Sequence, residues 1–408
     1  MSAATFLSDR RPVALCVIVA LMAIVQLRVP YLNELQTHVI DAWRIWGGEI
    51  DCAAVYRLPL GYAGFIAPFM AFLGESTGVK VANLLAFAGC AAAGLAYVAA
   101  LSRHAERAAS RAHWAGGLML AAFLLYPYMI FNVARTTEAV PAAALVIVFL
   151  WAALRRPTLG IVIVAGLCIG VGMQVRANMV SLLLPALLWL ALRADGGWLR
   201  RAGLAAAGLG ALVVSYSAVS LATTGCAWYS PTNGGYNLYA GNNPLSAEYL
   251  AADQNAEYSI IPSLRPRGIE LADVPAAYEV PQADYVAWTK EFVQGCPSCA
   301  VRLVLQKTVV YLSPRLKNAG GKAEIAVQWA MAAVTWIALG LALWRFARRR
   351  SYAEGMWLLV FAAYALPFVL TNADPRLRFP LDIAALCYLA FTLAGWLRAG
   401  RPTYDRTA

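Results

Sequence analysis

The chain has 408 residues, of which 61% are hydrophobic and 13% charged, and its mean hydropathy is +0.60. Soluble domains are about 45–50% apolar and about 25% charged, so this composition excludes a cytosolic enzyme, a disordered chain and a disulfide-stapled secreted module. The formal net charge of +11 requires no nucleic-acid partner, because the topology described next accounts for it. The sequence therefore predicts an all-α polytopic membrane protein.

About ten stretches are apolar enough to cross a bilayer as helices, for which about 20 residues are needed. They lie near 12–32, 79–101, 114–133, 137–154, 202–222, 324–344, 355–371 and 381–397, with two shorter spans in 158–193 that Arg176 and Asn178 interrupt. The first follows Asp9-Arg10-Arg11 and is interpreted as an uncleaved signal anchor. An even number of spans predicts both termini on the same side.

Lys and Arg residues in short loops mark the cytoplasmic side of a membrane protein. With the N-terminus inside, nearly all of the excess positive charge falls on the inner segments. Insertion topology alone thus explains the net charge. The Ala- and Arg-rich composition and the short loops favour a bacterial inner membrane, with both termini in the cytoplasm.

The chain is predicted to divide into three parts. Residues 1–222 form an N-terminal transmembrane module with a catalytic first external loop at 33–78, residues 223–322 a small external (periplasmic) subdomain, and residues 323–408 the C-terminal transmembrane helices. Pro59–Leu73 is apolar but too short to span, which predicts an interfacial or re-entrant helix. An oxidising exterior permits a disulfide such as Cys226 to Cys296 or Cys299, and Cys52 is a further candidate; the sequence does not choose the pairing.

Three titratable residues of the first external loop have a helical spacing. Glu34, His38 and Asp41 stand at i, i+4 and i+7, which places them on one face of a helix. Such a face can hold a general base beside a divalent ion such as Mg²⁺ or Mn²⁺, because hard cations prefer carboxylate oxygen. His38 and Asp41 are the candidate metal ligands. The alternative is a solvated polar stripe.

Two further charges stand at the ends or breaks of spans. Glu138 opens the fourth predicted span after Thr137, either as a functional acid or as a helix-capping residue. Arg176 interrupts an apolar region, where an unpaired charge is costly, so an anion from the protein or from a ligand is expected beside it. Gly166 and Gly170 form a GxxxG spacing, which favours close helix packing.

Two later segments suit a sugar and an anion. Gly241-Asn242-Asn243-Pro244 is a turn between aromatic residues, and amides and aromatic faces are what sugar hydroxyls and rings require. Arg376 and Arg378 lie between the last two predicted spans, and guanidinium groups bind phosphate with forked donors. The alternative for these arginines is a snorkelling anchor.

Several segments together resemble the polyprenyl-phosphate-dependent glycosyltransferases of the GT-C superfamily, near the protein O-mannosyltransferase and lipid A aminoarabinose transferase group. The matching pieces are Asn33-Glu34 with Gly47-Gly48, the run from Tyr56-Arg57-Leu58-Pro59 to Phe72-Leu73-Gly74, Thr137-Glu138, Tyr236-Asn237-Leu238-Tyr239 with Gly241-Asn242-Asn243-Pro244, and Arg376-Leu377-Arg378-Phe379-Pro380. The sequence departs from the pattern at Asn33, where Asp is common, and at Leu58, which replaces a proline.

The resemblance implies transfer of a hexosyl or pentosyl group from a polyprenyl-phosphate donor to a glycan, lipid or protein acceptor on the external face, with inversion. The implied catalytic residues are Glu34 and Glu138, to which helix geometry adds Asp41. The implied phosphate-binding residues are Arg57, Arg376 and Arg378, to which the buried Arg176 is added. Tyr236, Tyr239, Asn242 and Asn243 are the expected sugar- or acceptor-binding residues. A lipid-linked-sugar flippase or secondary transporter is the alternative function.

Overall fold

The computed structural model describes residues 11–32, 36–50, 58–104, 109–227, 231, 233–251, 259–270, 277, 279–314 and 321–399. Within these ranges the regular structure is helical, apart from one isolated bridge between Leu32 and Arg135. The all-helical class predicted from the sequence is thus confirmed.

The helices follow one another along the described chain with short connections. The N-terminal part contains α1 (Arg11–Arg28), α2 (Gln36–Gly47), α3 (Gly61–Leu73), α4 (Glu75–His104), α5 (Ala109–Leu125), α6 (Pro127–Ala134), α7 (Ala139–Ala153), α8 (Leu159–Val175), α9 (Leu183–Arg193) and α10 (Trp198–Thr224). The rest contains α11 (Gly234–Ala240), α12 (Ser246–Ala251), α13 (Ile260–Leu264), α14 (Gln282–Gly295), α15 (Pro297–Leu312), α16 (Lys322–Arg349), α17 (Tyr352–Leu370) and α18 (Phe379–Ala399). Short 3₁₀ turns at Ala177–Leu182 and Pro375–Arg378 precede α9 and α18.

Five described helices are long and apolar enough to cross a membrane, namely α4, α10, α16, α17 and α18 with its preceding turn. A sixth candidate is the bent pair formed by α5 and α6. By helix length and composition the chain is therefore a multi-pass membrane protein, with five or six candidate spans in the described ranges where the sequence predicted ten. Most of the other predicted spans fall on shorter apolar helices, because breaks divide the apolar runs.

The predicted span at 114–133 is one of these broken runs, and its continuity was wrongly predicted. α5 ends at Leu125, Tyr126 is extended (φ −76°, ψ 111°), and Pro127 opens α6 at an angle of 59°. The residue before a proline is sterically disfavoured in the α conformation, which accounts for the break. The bend brings α6 toward the same end of the bundle as the break after α8.

Small residues let α8 and α10 pack with their backbones in contact. A Cβ atom on Gly166 would lie 2.2 Å from the carbonyl oxygen of Gly208, and one on Gly170 would lie 2.3 Å from that of Leu212. The GxxxG spacing therefore serves helix packing.

The described part of residues 233–314, here called the loop subdomain, has its own small aromatic core. Tyr236, Tyr239 and Tyr285 are buried in this core, and Trp288 packs against them. Cys296 is disulfide-bonded to Cys299, so the suggested link from Cys226 to either of them is not formed. The bond closes the first turn of α15, and Cys226 is disulfide-bonded as well.

We expect Gly166→Ala to lower the thermal stability of the purified protein in detergent, because the added methyl group would overlap a backbone oxygen of α10. Overpacking of this kind costs about 1–3 kcal/mol. The matched control is Gly160→Ala on the same helix, where an added Cβ meets nothing within 4 Å. Equal unfolding temperatures for the two variants would show that α8 and α10 do not approach this closely.

Candidate active site

A cavity of about 420 Å³ opens where α2, the start of α7, the break after α8, α11 and the α17–α18 connection meet. Its polar lining consists of His38, Tyr128, Asn132, Arg135, Thr137, Glu138, Arg176, Asn178, Asn233, Asn237, Thr371, Asn372 and Arg376. Four residues singled out from the sequence are thus brought together, namely His38, Glu138, Arg176 and Arg376. They come from separate elements, so the tertiary fold creates their proximity.

Arg176 reaches the cavity because α8 ends at Val175. Its backbone is extended (φ −153°, ψ 112°), which turns the side chain out of the helix line. Arg176 Nη2 and Nε donate to Glu138 Oε1 over 2.6 and 3.1 Å, and Nη1 donates to Tyr364 Oη and Leu377 O. Glu138 is therefore the anion that the sequence required beside this buried cation.

Glu138 stands at the N-cap position of α7, where its side chain makes no cap hydrogen bond. Buried polar contacts hold its backbone in place instead. The amide of Thr137 donates to Tyr62 Oη over 3.2 Å, and Tyr62 donates to Asn83 Oδ1 over 3.1 Å. Asn83 Nδ2 in turn donates to Arg135 O over 2.7 Å. α3 and α4 thus fix the segment that presents Glu138 to the cavity.

His38 lies on α2 against the other oxygen of Glu138. Its Nε2 atom is 3.4 Å from Glu138 Oε2, within ion-pair distance but without the alignment of a hydrogen bond. The imidazole is 1% exposed and packs edge-on against the Tyr62 ring, with 5.0 Å between the ring centroids. α3, which covers most of the segment predicted as an interfacial or re-entrant helix, therefore supports the histidine of the neighbouring helix.

The other first-loop residues have different positions. Asp41 shares the buried face of α2 with His38 but lies outside the described lining of the cavity. Burial raises the pKa of Asp41 above its ordinary value, and the neighbouring His38 and Arg44 oppose part of this rise. Glu34 and Arg57 lie outside the described residues. Their catalytic and phosphate-binding roles stay predictions.

Among the described residues, no group of three or more His, Cys, Asp or Glu side chains is arranged to hold a metal ion. His38 and Asp41 are close together on one helix face, and the third member of the predicted set, Glu34, is not among these residues. A divalent cation such as Mg²⁺ or Mn²⁺ therefore stays a prediction from the sequence.

The two C-terminal arginines have opposite surroundings. Arg376 lines the cavity with its side chain 36% exposed, and its Nε lies 3.3 Å from Asp374 Oδ2. Arg378 is 2% exposed; its Nε donates to Asp382 Oδ1 over 2.8 Å and its Nη1 to Tyr311 O over 2.7 Å. The structure thus gives Arg378 a role in joining helices, and these contacts do not favour phosphate binding by it.

The predicted sugar-binding residues are buried within the loop subdomain. Asn242 Nδ2 donates to Leu238 O and Leu370 O, each over 2.7 Å, and Asn243 Nδ2 donates to Ser259 Oγ over the same distance. Tyr236 and Tyr239 belong to the aromatic core. These contacts do not favour direct binding of a sugar by the four residues, and that role stays a prediction. Their neighbours Asn233 and Asn237 line the cavity instead.

A buried lysine ties the loop subdomain to the cavity wall. Lys307 Nζ lies within hydrogen-bond distance of four acceptor oxygens, namely Asn242 Oδ1 at 2.9 Å, Gly241 O at 3.1 Å, and Leu370 O and Thr371 O at 3.2 Å each. The backbones touch here, since a Cβ atom on Gly241 would lie 1.6 Å from Thr371 O. Thr371 and the residue after it line the cavity, so this contact sets the position of one wall.

A second cavity, of about 550 Å³, lies beside the first and is lined almost entirely by apolar residues. Its walls come from α3, α4, α7, α8 and α10, with Phe65, Leu85, Ala144 and Val219 among the lining residues. Val175, the last residue of α8, lines both cavities. The polar cavity and the apolar cavity therefore share part of a wall at the end of α8, next to Arg176.

Sequence reasoning missed several residues of the site. The amides of Asn132 and Asn372 line the cavity but belong to no motif, so only tertiary structure identifies them. Asn178 also lines the cavity, although the sequence indicated it only as an interruption of an apolar stretch. Asn83 carried a usable signal, because a buried polar side chain inside a long apolar helix is costly and indicates a structural or functional contact. Lys307 carried a similar signal that was not used, because Leu303, Val304 and Leu305 precede it and Val309 and Val310 follow it in an apolar stretch of α15.

We expect the stability of the protein to rise with pH above neutrality because of Lys307. Burial lowers the pKa of its ammonium group to about 7, whereas the unfolded chain keeps a lysine pKa of about 10.4. Between these values the unfolded state binds a proton that the folded state does not, so the free energy of unfolding increases with pH by up to about 1.4 kcal/mol per unit. Thermal unfolding in detergent between pH 7 and 9 measures this slope.

For Lys307→Met, the free energy of unfolding should increase less steeply with pH than for the wild-type protein. The control is Lys290→Met on α14, because Lys290 is exposed and its variant should keep the wild-type slope. Parallel pH profiles for all three proteins would show that Lys307 does not change its protonation on unfolding.

No protein-family model and no curated protein sequence matches this chain. Solved structures do match. The apo oligosaccharyltransferase of Archaeoglobus fulgidus aligns with 97% of this chain at a TM-score of 0.55 and 11% identity. The oligosaccharyltransferase AglB of the same organism, in complex with an inhibitory peptide and a dolichol-phosphate, aligns with 96% at a TM-score of 0.49 and 10% identity. ArnT from Cupriavidus metallidurans, bound to undecaprenyl phosphate, aligns with 95% at a TM-score of 0.40 and 14% identity.

The chain spans about half the length of the two archaeal structures, since it covers 51% of each, and it covers 78% of ArnT. At these sequence identities the similarity shows the fold alone. The conclusion on the fold rests on the apo archaeal structure, which has the TM-score of 0.55. The chain therefore shares the fold of the archaeal oligosaccharyltransferase.

Proposed function

We propose that the chain is a membrane glycosyltransferase that moves a sugar from a lipid-phosphate donor to an acceptor hydroxyl on the external, periplasmic side. The observation that carries this proposal is the meeting of arginines, one acid and several amides in a single cavity. The fold shared with an oligosaccharyltransferase supports the reaction class. The bacterial inner membrane and the cytoplasmic termini belong to the same proposal.

The arginines suit the phosphate of the donor. Arg135, Arg176 and Arg376 line the cavity, and Glu138 is the acid in its described lining. Glu138 faces Arg176, and Asp374 lies beside Arg376, so three arginines and one acid stand together in the described lining of the cavity. Fixed positive groups stabilise the negative charge that grows on a leaving phosphate, which is usually the largest single contribution to catalysis.

The asparagines suit the sugar. An amide both donates and accepts hydrogen bonds, as a sugar hydroxyl does. In the described structure Asn178 Oδ1 and Asn372 Oδ1 are buried and have no hydrogen-bond donor beside them, and both residues line the cavity. A buried acceptor without a donor is costly, which favours a hydroxyl-bearing ligand at this position.

The apolar cavity suits the hydrocarbon chain of the donor. It meets the polar cavity at Val175, next to Arg176, so a lipid lying in it would place its phosphate near the arginines. Burial of apolar surface is favourable by about 25 cal/mol per Å², and a polyprenyl chain offers a large area. We therefore assign the two cavities to the two halves of one donor lipid.

The proposed chemistry is a single displacement with inversion. The acceptor oxygen attacks the anomeric carbon while the bond from that carbon to the phosphate oxygen breaks. The electron pair of the broken bond stays on the polyprenyl phosphate, which leaves. The acceptor is a glycan, a lipid or a protein, and a divalent cation beside the first external segment is compatible with this scheme.

One observation favours a second candidate, a lipid-linked-sugar flippase or secondary transporter. The described chain contains two broken helices, at Tyr126 and at Arg176, and both breaks lie near the polar cavity. Discontinuous helices around a binding site are typical of secondary transporters. Donor binding without transfer, in the presence of an active acceptor, would favour this candidate.

We expect Arg376→Gln to lower sugar transfer about 100-fold or more, because it removes a cation that opposes the charge of the leaving phosphate. The assay uses the protein in nanodiscs with radiolabelled polyprenyl-phosphate sugars and a membrane extract from its own source. Arg265→Gln is the control, since Arg265 is exposed on the loop subdomain away from the described cavity lining. Equal activity of both variants would remove Arg376 from the site.

Filling the apolar cavity tests the route of the lipid chain. We expect Ala144→Phe to raise the KM for long-chain donors severalfold and to leave short-chain analogues nearly unaffected, because the new ring occupies the space of distant isoprene units. Ala206→Phe on the exposed face of α10 is the control. An equal change for short and long donors would place the lipid chain elsewhere.

A further inference from the structure

We infer that His38 accepts the proton of the acceptor hydroxyl and that Glu138 positions it for this role. The inference rests on the proposed glycosyl transfer and deepens it, because it assigns the proton to an imidazole where the sequence motifs suggested a carboxylate.

The first argument is that His38 is buried without hydrogen-bond partners. In the described structure neither of its ring nitrogens has a hydrogen-bond partner, and Glu138 Oε2 beside it has none either. Buried polar atoms in proteins are nearly always paired, and a histidine placed only for packing would be expected to bond a neighbouring group. His38 lies in the wall of the polar cavity at the same time. Since Nε2 faces Glu138, the other ring nitrogen, Nδ1, is available to a group that enters the cavity.

The second argument is that Glu138 lies between Arg176 and His38 and contacts both. Arg176 binds Glu138 Oε1 with two nitrogens and leaves Oε2 on the side of His38. A carboxylate held in this way orients an imidazole and stabilises the imidazolium that forms when it takes a proton. The Tyr62 ring, edge-on at 5.0 Å, supports the plane of the imidazole.

The third argument concerns the competing bases. Glu138 is occupied by Arg176 on one oxygen and faces His38 with the other. Asp41 lies outside the described lining of the cavity. Among the described residues, the charged and titratable groups around His38 are Glu138 from the start of α7, Tyr62 from α3, and Asp41 and Arg44 from α2 itself. Glu138 also lines the cavity and its Oε2 has no hydrogen-bond partner, but Arg176 holds this carboxylate through two hydrogen bonds, so the proton is assigned to His38.

The proton balance of the step is simple. As the acceptor oxygen bonds to the anomeric carbon, its proton moves to the unprotonated nitrogen of His38. The carbon–oxygen bond to the phosphate breaks, and its electron pair leaves with the polyprenyl phosphate. The imidazolium, held beside the Glu138 carboxylate, returns its proton to water after the product departs.

The test is the pH profile of transfer by the full-length protein in nanodiscs. A general base must be unprotonated to act, so kcat/KM falls on the acid side of the profile, and the residue whose substitution removes this acid limb is the base. We expect His38→Gln to lower kcat about 100- to 10,000-fold, to remove this limb and to leave the KM for the donor lipid within a few-fold. External imidazole should partly restore transfer by His38→Ala.

Controls separate this role from folding and from metal binding. His113→Gln, at an exposed position of α5, should keep the wild-type rate and pH profile, and imidazole should not stimulate it. Glu138→Gln should lower kcat and move the acid limb, as expected for a positioning residue. Donor binding by each variant, measured with radiolabelled lipid, verifies that the cavity is intact.

Three results would overturn the inference. The first is transfer by His38→Gln at a rate near that of the wild type. The second is loss of the acid limb in Glu34→Gln or Asp41→Asn while His38→Gln keeps it, which would identify a carboxylate base. The third is rescue of His38→Gln by excess Mn²⁺, which would make His38 a metal ligand. Absence of transfer by the wild-type protein with bound donor and active acceptor would overturn the proposed function itself, and the inference with it.

Discussion

The ion pair between Glu138 and Arg176 is the contact on which the site depends. A guanidinium in an apolar bundle is costly unless an anion neutralises it, and removal of one partner of such a pair typically costs about 3–5 kcal/mol. The pair joins the start of α7 to the break after α8, and Arg176 extends the contact to Tyr364 on α17 and to Leu377 before α18. Four chain segments are thus held around one cavity by a single side chain.

The other features of the site are arranged around this pair. The break after α8 turns Arg176 toward the polar cavity, while Val175, just before the break, lies in the wall of the apolar cavity. One interruption of the helix thus contributes to the lining of both cavities. Lys307 fixes the opposite wall by bonding Gly241 and Thr371 across two segments. A donor with a charged head and a long hydrocarbon chain fits this juxtaposition of a cationic, amide-rich cavity and an apolar one.

The sequence-based predictions agree with the structure where the chemistry of contiguous residues decides the local conformation. They differ where side chains from other elements decide which contacts a residue makes. The helix break at Arg176 and the packing of Gly166 were predictable, because a charge in an apolar run and a GxxxG spacing each have a local physical meaning. Arg376 and Arg378 looked equivalent in sequence, but Asp382, one turn beyond Arg378, binds that arginine into the core while Arg376 faces the cavity. The side-chain amides of Asn242 and Asn243 are likewise engaged by the protein, because they donate to the backbone carbonyls of Leu238 and Tyr239.

By itself, the sequence determined the helical class, the membrane-spanning character and the resemblance to GT-C glycosyltransferases, because hydropathy, charge distribution and short motifs are properties of contiguous residues. It did not determine how many apolar runs form full-length spans, since the geometry of the residue before Pro127 bends the run at 114–133. The tertiary structure alone decided that His38, Glu138, Arg176 and Arg376 share one cavity and that Asp41 and Arg378 do not line it. These residues lie far apart in the chain, and only packing of the helices brings charges of opposite sign close enough to select their partners.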